Sequence, residues 1–278
     1  MLNKEQIGQF QTEGFLVLEN VFSPPDIESV RRAALSIVND FDATRHRSVF
    51  TTKDRDEGRD EYFLQSAESV HCFLEEGALD ENGGLNRPKA LAINKIGHAM
   101  HDLVPEFTAF CRLPVIGHVL RDIGYHKPVL WQTMYIFKQP GIGGEVRWHQ
   151  DASYLHSANP GVTGIWVAIE NATRENGCLW MQPGQHHSPL REIYEMDWSQ
   201  RTGELITLDD TPWSTEDAIP VEVAAGSAVL FHDHMPHYSS QNPSSRSRHA
   251  FTMHVAESGA AWSPKNWLQR PTLGAFEL

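Results

Sequence analysis

From Val129 onward the chain consists of short segments rich in β-branched and aromatic residues, separated by Gly, Pro, Asn and Ser, and no helical period intervenes. That pattern predicts strands at 130–138, 145–150, 163–170, 178–182, 220–223, 227–232 and 248–256. Many short strands without alternating helices argue against a parallel βαβ sheet and for a mainly β jelly roll or related barrel.

The first part reads differently. Apolar residues recur at helical spacing from Lys4 to Glu13 and from Ser23 to Phe41, the second run opened by Ser23-Pro24-Pro25-Asp26. Gly14-Phe15-Leu16-Val17-Leu18 between them is a short strand candidate. Residues 42–66 are polar and predict a surface loop, whereas Lys95 to Phe110 predicts a further helix that Pro105 restarts or breaks. Residues 191–218 are long and weakly patterned, as lids and binding loops are. With 278 residues, 40% of them hydrophobic, the chain can bury one large core. The expectation is a single domain spanning 1–278: a mainly helical part, 1–128, packed on a jelly-roll core, 129–278.

Charge narrows the function. A net charge of −13 with no cluster of Lys and Arg argues against nucleic-acid binding. The run Lys53-Asp54-Arg55-Asp56-Glu57 mixes both signs and predicts a solvated surface. Cys72, Cys111 and Cys178 are odd in number and far apart, which suits neither a disulfide framework nor a thiolate metal site. No apolar stretch is long enough to span a bilayer, and the termini match no address signal. The expectation is a cytoplasmic protein acting on a small molecule, with its oligomeric state unspecified.

The chemistry centres on Arg147-Trp148-His149-Gln150-Asp151. On a strand, His149 and Asp151 point the same way with Cα atoms ~6.5–7 Å apart, so one metal ion can sit between them. Fifteen histidines make some His-x-Asp pairs inevitable, so the motif alone is weak. It gains weight from a later histidine after the strand Gly226-Ser227-Ala228-Val229-Leu230-Phe231. Two imidazoles and one carboxylate on one face of an octahedron leave three adjacent positions open, the arrangement of non-haem iron(II) oxygenases. His232-Asp233-His234-Met235-Pro236-His237 offers three candidates for the second imidazole, and His232 with His234 forms a rival pair. His237 is favoured because it precedes the turn Tyr238-Ser239-Ser240-Gln241-Asn242-Pro243 into the last strand. That strand brings an arginine able to grip a carboxylate bidentately, Arg248 ahead of Arg246, which shares its parity. His98, His101 and His118 read as surface or satisfied polar residues, and His186-His187 as the end of a turn.

The order Lys95, Met134, His149-Gln150-Asp151, Trp166, Glu175-Asn176-Gly177-Cys178-Leu179, Pro183-Gly184, His237 and Arg248 resembles the phytanoyl-CoA dioxygenase family, from the first helix almost to the C-terminus. Ile93-Asn94-Lys95-Ile96-Gly97-His98, Met134-Tyr135-Ile136-Phe137-Lys138-Gln139-Pro140 and Trp262-Ser263-Pro264-Lys265-Asn266-Trp267-Leu268 are similar to a branch of that family distinct from the hydroxylase that gives it its name. The resemblance implies a double-stranded β-helix, Fe(II) held by His149, Asp151 and His237, and 2-oxoglutarate and O2 as co-substrates. It implies that Arg248 and Ser239 hold the distal carboxylate of 2-oxoglutarate, and that Lys95, Met134, Gln150 and Trp166 line its pocket. Read without it, Trp166 and Met134 serve equally well as core filler, and Lys95 as a charge on an apolar helix face.

The implied reaction is oxidative decarboxylation of 2-oxoglutarate to succinate, coupled to hydroxylation or desaturation of a small organic substrate. Related halogenases lack the carboxylate that Asp151 supplies, which disfavours halogenation. Gln185 stands where the family has a small hydroxyl residue, and 191–218 follows no family pattern, so the substrate stays open. No basic cluster awaits a CoA phosphate, which favours a free small molecule. Two rivals are a metal-dependent cupin enzyme that takes no 2-oxo acid and a non-catalytic β-sandwich binding module. The first would be indifferent to Arg248, and the second would bind no iron.

Overall fold

A computed structural model describes residues 1–51, 60–157 and 161–278, so the charged run Lys53–Glu57 lies outside the described residues. Its main element is a nine-stranded sheet in the order Phe15–Leu18, Ala228–His232, Thr163–Ala168, Ala250–Glu257, Pro128–Ile136, Ile93–His98, Val70–Glu75 and Val49–Phe50, with Phe276–Glu277 also paired to Pro128–Ile136. A four-stranded sheet, Ile219–Val221, Leu179–Met181, His237–Ser239 and Val146–His149, completes a jelly roll.

The large sheet is buried on both faces. One face packs on the helices Pro24–Asp40, Pro105–Cys111 and Pro114–Asp122 through Val30, Phe107, Phe110, Leu120, Phe251 and Val255. The other sends Trp166, Val229, Phe231 and Ala250 against Leu179, Met181 and Val221 of the small sheet. Double burial explains why Thr163–Ala168 is buried at every residue rather than at alternate ones.

The first two helices form where expected, over Lys4–Glu13 and Pro24–Asp40. Each begins with a capping box: Asn3 with Gln6, and Ser23 with Asp26. Gly14 ends the first at φ 79°, a conformation open to glycine at little cost.

Several expectations are corrected. Lys95 to Phe110 is not one helix: Ile93–His98 is a strand held on both edges, by Val70–Glu75 and by Pro128–Ile136. Two helices follow, Met100–Leu103 and Pro105–Cys111, the latter with Pro105 in its first turn, where the missing N–H costs nothing. Residues 42–66 are not all loop, since Val49–Phe50 is a strand parallel to Val70–Glu75, and Glu61–Gln65 is a helix. Part of 191–218 is an antiparallel hairpin, Glu192–Asp197 with Thr202–Thr207, whose turn is tied by the Asp197 carboxylate accepting from Ser199 and Gln200. The stretch after Pro236 begins as a strand, His237–Ser239, rather than a turn. The part before residue 128 therefore supplies four strands of the large sheet as well as helices.

Candidate active site

The small sheet sets the metal donors. His237 lies directly opposite His149 in the antiparallel pairing of His237–Ser239 with Val146–His149, so the two rings meet with centroids 4.1 Å apart. Gln150 is extended (φ −116°, ψ 134°), and Asp151 opens the 3-10 turn Asp151–Ser153. That one extended residue keeps Asp151 on the same side as His149. The Asp151 Oδ1 atom is 3.6 Å from His149 Nε2 and 3.7 Å from His237 Nε2.

Hydrogen bonds fix which nitrogen each imidazole offers. His149 Nδ1 donates to the Arg147 carbonyl at 2.8 Å, and His237 Nδ1 to the Met235 carbonyl at 2.9 Å. Both protons thus sit on Nδ1, and both Nε2 lone pairs face inward toward Asp151. Burial and the neighbouring His237 hold His149 down to about 3, so it is a neutral ligand at ordinary pH. Burial would raise the Asp151 carboxyl, but His254, His237 and His149 around it prevail and hold it below the usual carboxylate range. Two imidazoles and a carboxylate converging on one side of a cavity fit a divalent iron with open positions.

A cavity of about 490 Å³ runs from this triad to Arg248. Arg248 is 2% exposed, its Nε donating to the Gly177 carbonyl at 3.1 Å and its Nη2 to Ser239 Oγ at 3.3 Å. Burial lowers it to about 10, which still leaves it charged. Its Nη1 is buried without a partner among the described residues. An unpaired, charged N–H donor at the cavity wall fits a carboxylate guest. The guanidinium also lies 5.2 Å from the Trp166 ring centre. Gly177 must be glycine: φ is 84°, and a Cβ there would meet Lys138 Cδ at 2.6 Å and the Ser240 carbonyl at 2.7 Å.

The remaining expected residues divide. Met134, Trp166 and Lys95 line the cavity, Lys95 from a strand and not from a helix, with Nζ 3.9 Å from Met134 Sδ and 3.5 Å from the centre of the Phe50 ring. Gln150 is a correction: it does not line the cavity, because side chains alternate along extended backbone and its neighbours His149 and Asp151 take the inner face. Its amide instead donates to the carbonyls of Pro189 and His234 and accepts from Arg191 N–H.

The rival ligands lie elsewhere. His232 is 40% exposed with Nδ1 2.9 Å from Asp233 Oδ1, and His234 Nδ1 bonds the Ser188 carbonyl. Arg246 is exposed and paired with Glu175. Of the histidines read as satisfied or superficial, His98 bonds Ser66 Oγ, His101 bonds Thr133 Oγ1, and His118 is exposed.

Three residues near the site carried no expectation. His254 Nε2 is 2.9 Å from Asp151 Oδ2, and Gln132 Nε2 is 3.1 Å from His254 Nδ1. His254 shares the strand parity of Arg248, a signal already present in the sequence. Lys138 is buried, its ammonium donating to the Gly144 and Ser240 carbonyls at 2.7 and 2.6 Å. Burial and nearby Arg248 push its pKa well below the usual lysine value.

The jelly roll with this donor set has the architecture of iron and 2-oxoglutarate enzymes. The epimerase SnoN, crystallised in complex with Fe3+, alpha ketoglutarate and nogalamycin RO, superposes with a TM-score of 0.66 at 14% identity, covering 99% of this chain and 92% of that one. Residues 10–250 match the family profile Phytanoyl-CoA dioxygenase (PhyH), and the chain belongs to that family. It is 40% identical over 272 residues to phytanoyl-CoA dioxygenase of Arabidopsis thaliana, covering 97% of this chain and 94% of the relative. To phytanoyl-CoA dioxygenase domain-containing protein 1 of Mus musculus it is 38% identical, covering 96% and 95%. The expected likeness to the family and to its domain-containing proteins is thereby met, at an identity similar to that of relatives named phytanoyl-CoA dioxygenase. No helix among the described residues is long and apolar enough to cross a membrane.

Proposed function

We propose that this protein is an iron(II)- and 2-oxoglutarate-dependent dioxygenase that couples oxidative decarboxylation of 2-oxoglutarate to hydroxylation or desaturation of a small organic substrate. The observation that carries the proposal is a single cavity lined by two unlike groups: three convergent metal donors, and Arg248, whose Nη1 is buried without a partner among the described residues. A metal enzyme without a 2-oxo acid gives no reason to bury that charge, and a binding module gives no reason to aim three donors at one point.

His149, Asp151 and His237 would hold the iron, with both histidines pre-set in the ligating tautomer by the carbonyls of Arg147 and Met235. Bound iron(II), with O2 and 2-oxoglutarate, supplies the oxidising chemistry. Arg248, backed by Ser239, would grip the distal carboxylate, and Trp166, Met134 and Lys95 would wall the co-substrate. Asp151 would fill a coordination position with the protein's own carboxylate, which favours hydroxylation or desaturation over halide transfer.

The remaining wall includes Tyr154, Leu155, Tyr194, Leu205 and Trp267. The same wall carries Arg47, Asp60, Glu75 and Arg147, so it suits a small organic molecule that has polar groups of its own beside an apolar body. Iron-loaded protein given 2-oxoglutarate in air should form succinate and show the weak visible charge-transfer band of an iron–2-oxo acid complex. Bound metal with neither signal would sink the proposal.

A further inference from the structure

We infer that His254, held in turn by Gln132, is a positioning residue that makes Asp151 offer the metal one oxygen and not two. The inference rests on the iron site proposed above.

The two Asp151 oxygens have different neighbours. Oδ1 is nearly equidistant from the Nε2 atoms of His149 and His237, at 3.6 and 3.7 Å, and so completes the triad. Oδ2 is turned away onto His254 Nε2 at 2.9 Å. The Gln132 amide N–H donates to His254 Nδ1 at 3.1 Å, which leaves Nε2 as the nitrogen that donates to Oδ2. His254 is 3% exposed and Gln132 5%, so neither contact competes with bulk water.

Strand register builds the relay. Gln132 and His254 are directly opposed in the pairing of Pro128–Ile136 with Ala250–Glu257, and a register shift in that pairing falls immediately after His254. The chain Gln132, His254, Asp151 thus runs from the large sheet to the loop that carries the ligand. Once Gln132 donates to His254, its carbonyl oxygen is buried with no partner among the described residues, as is Thr252 Oγ1, and both residues belong to the cavity lining.

The count of coordination positions gives the role its consequence. Three protein donors leave three positions, enough for a chelating 2-oxo acid and one further ligand. If Asp151 chelated through both oxygens, only two would remain and the further ligand would be excluded. His254 keeps Oδ2 occupied and so protects the third position. Support of this kind for a metal ligand is typically worth 10–100-fold in metal affinity or activity.

Co(II) titration of the apo-protein, followed by visible ligand-field absorption and accompanied by apo-protein melting temperatures, tests the role. His254→Phe should bind Co(II) ~10–100-fold more weakly than wild type and show a changed band pattern at saturation. His254→Gln, which keeps an N–H donor at the same reach, should stay within about threefold of wild type and keep its bands. Gln132→Leu should fall between them, and adding it to His254→Phe should cost nothing more, since both act through one relay.

Wild-type affinity and bands in His254→Phe would overturn the role, as would a Gln variant no better than the Phe variant. If His254→Phe does not fold, Gln132→Leu decides, with unchanged Co(II) affinity and bands counting against the relay. Wild-type protein that takes up no Co(II) would remove the metal site itself, a failure distinct from that of His254.

Discussion

Arg147 spans from the strand that ends in His149 to Glu192 at the start of the hairpin, with two parallel N–H···O bonds of 3.1 and 2.8 Å. A third bond joins its Nη2 to the Tyr154 hydroxyl. Desolvation opposes the charge on Arg147, but Glu192 and Tyr154 outweigh it, and its pKa is raised. One guanidinium therefore ties the metal-bearing strand to the wall formed by Tyr194 and Leu205.

Glu192→Ala should release that wall while leaving the metal site intact. The pair is partly exposed, which trims its worth to about 1–2 kcal/mol. Amide exchange across 192–207 should therefore quicken roughly 5- to 30-fold, with Co(II) affinity unchanged. Unaltered exchange would mean that the hairpin is held by its other contacts.

Arg248→Ala should weaken 2-oxoglutarate binding by about 2–5 kcal/mol, as losing one side of a buried charge pair does. Calorimetry would read this as a fall in affinity of roughly 30-fold to several thousandfold, with metal binding intact. Arg248→Lys should recover little, because one compact ammonium nitrogen cannot reproduce the spread of Nε and Nη donors that reach Gly177, Ser239 and a carboxylate from separate points of a planar fork. Arg246→Ala should be close to wild type, its partner Glu175 being an exposed surface contact.

Asp151→Ala should abolish succinate formation at any iron concentration tested, and a chelator should do the same to wild type until iron(II) is restored. In wild type, a bound divalent metal at about 100 times its Kd should add ~2.7 kcal/mol of stability. A melting temperature equally raised by metal in Asp151→Ala would place the ion somewhere else.

His101 makes a prediction about acid. His101 Nε2 lies 2.9 Å from Arg270 Nη1 and 3.0 Å from Asp102 Oδ2, and Thr133 Oγ1 is 3.2 Å from its Nδ1, so the ring is enclosed on both sides. Burial, then Arg270, lowers its pKa to about 3 from 6.5. The unfolded chain therefore takes up the proton first as pH falls. Stability from this group is complete above about pH 6.5 and is lost progressively toward pH 3, by about 2 kcal/mol at pH 5. Denaturant midpoints at pH 7 and 5 should show the loss, and His101→Asn, though less stable throughout, should show it reduced by about that amount.

What could be read from sequence follows from the range of each signal. His149 and Asp151 are two residues apart, and a period of two needs no knowledge of distant chain. The same rule assigns Gln150 to the opposite face, where it lies, and the family resemblance misassigned its side chain to the pocket. Lys95 was misread because the apolar positions around it also fit a helix. Its strand exists only because Val70–Glu75 and Pro128–Ile136 lie on either side. His254 and Gln132 are 122 positions apart, and only strand register joins them. The hairpin in 191–218 was missed because residue type does not follow burial there: Glu192 is buried and Ile193 only half-buried, and no residue of Thr202–Thr207 is fully buried.

Ala250–Glu257 lies near the end of the chain yet at the middle of the large sheet, between Thr163–Ala168 and Pro128–Ile136. A nascent chain emerging from the ribosome thus exposes His149, Asp151 and His237 before it has Arg248, which precedes that strand, or His254, which lies within it. During that interval it holds donors for a metal without the groups proposed to support the carboxylate ligand or select a co-substrate. Synthesis order therefore leaves Thr163–Ala168 and Pro128–Ile136 without their shared neighbour until that strand arrives, so the sheet that carries the site closes as a late event.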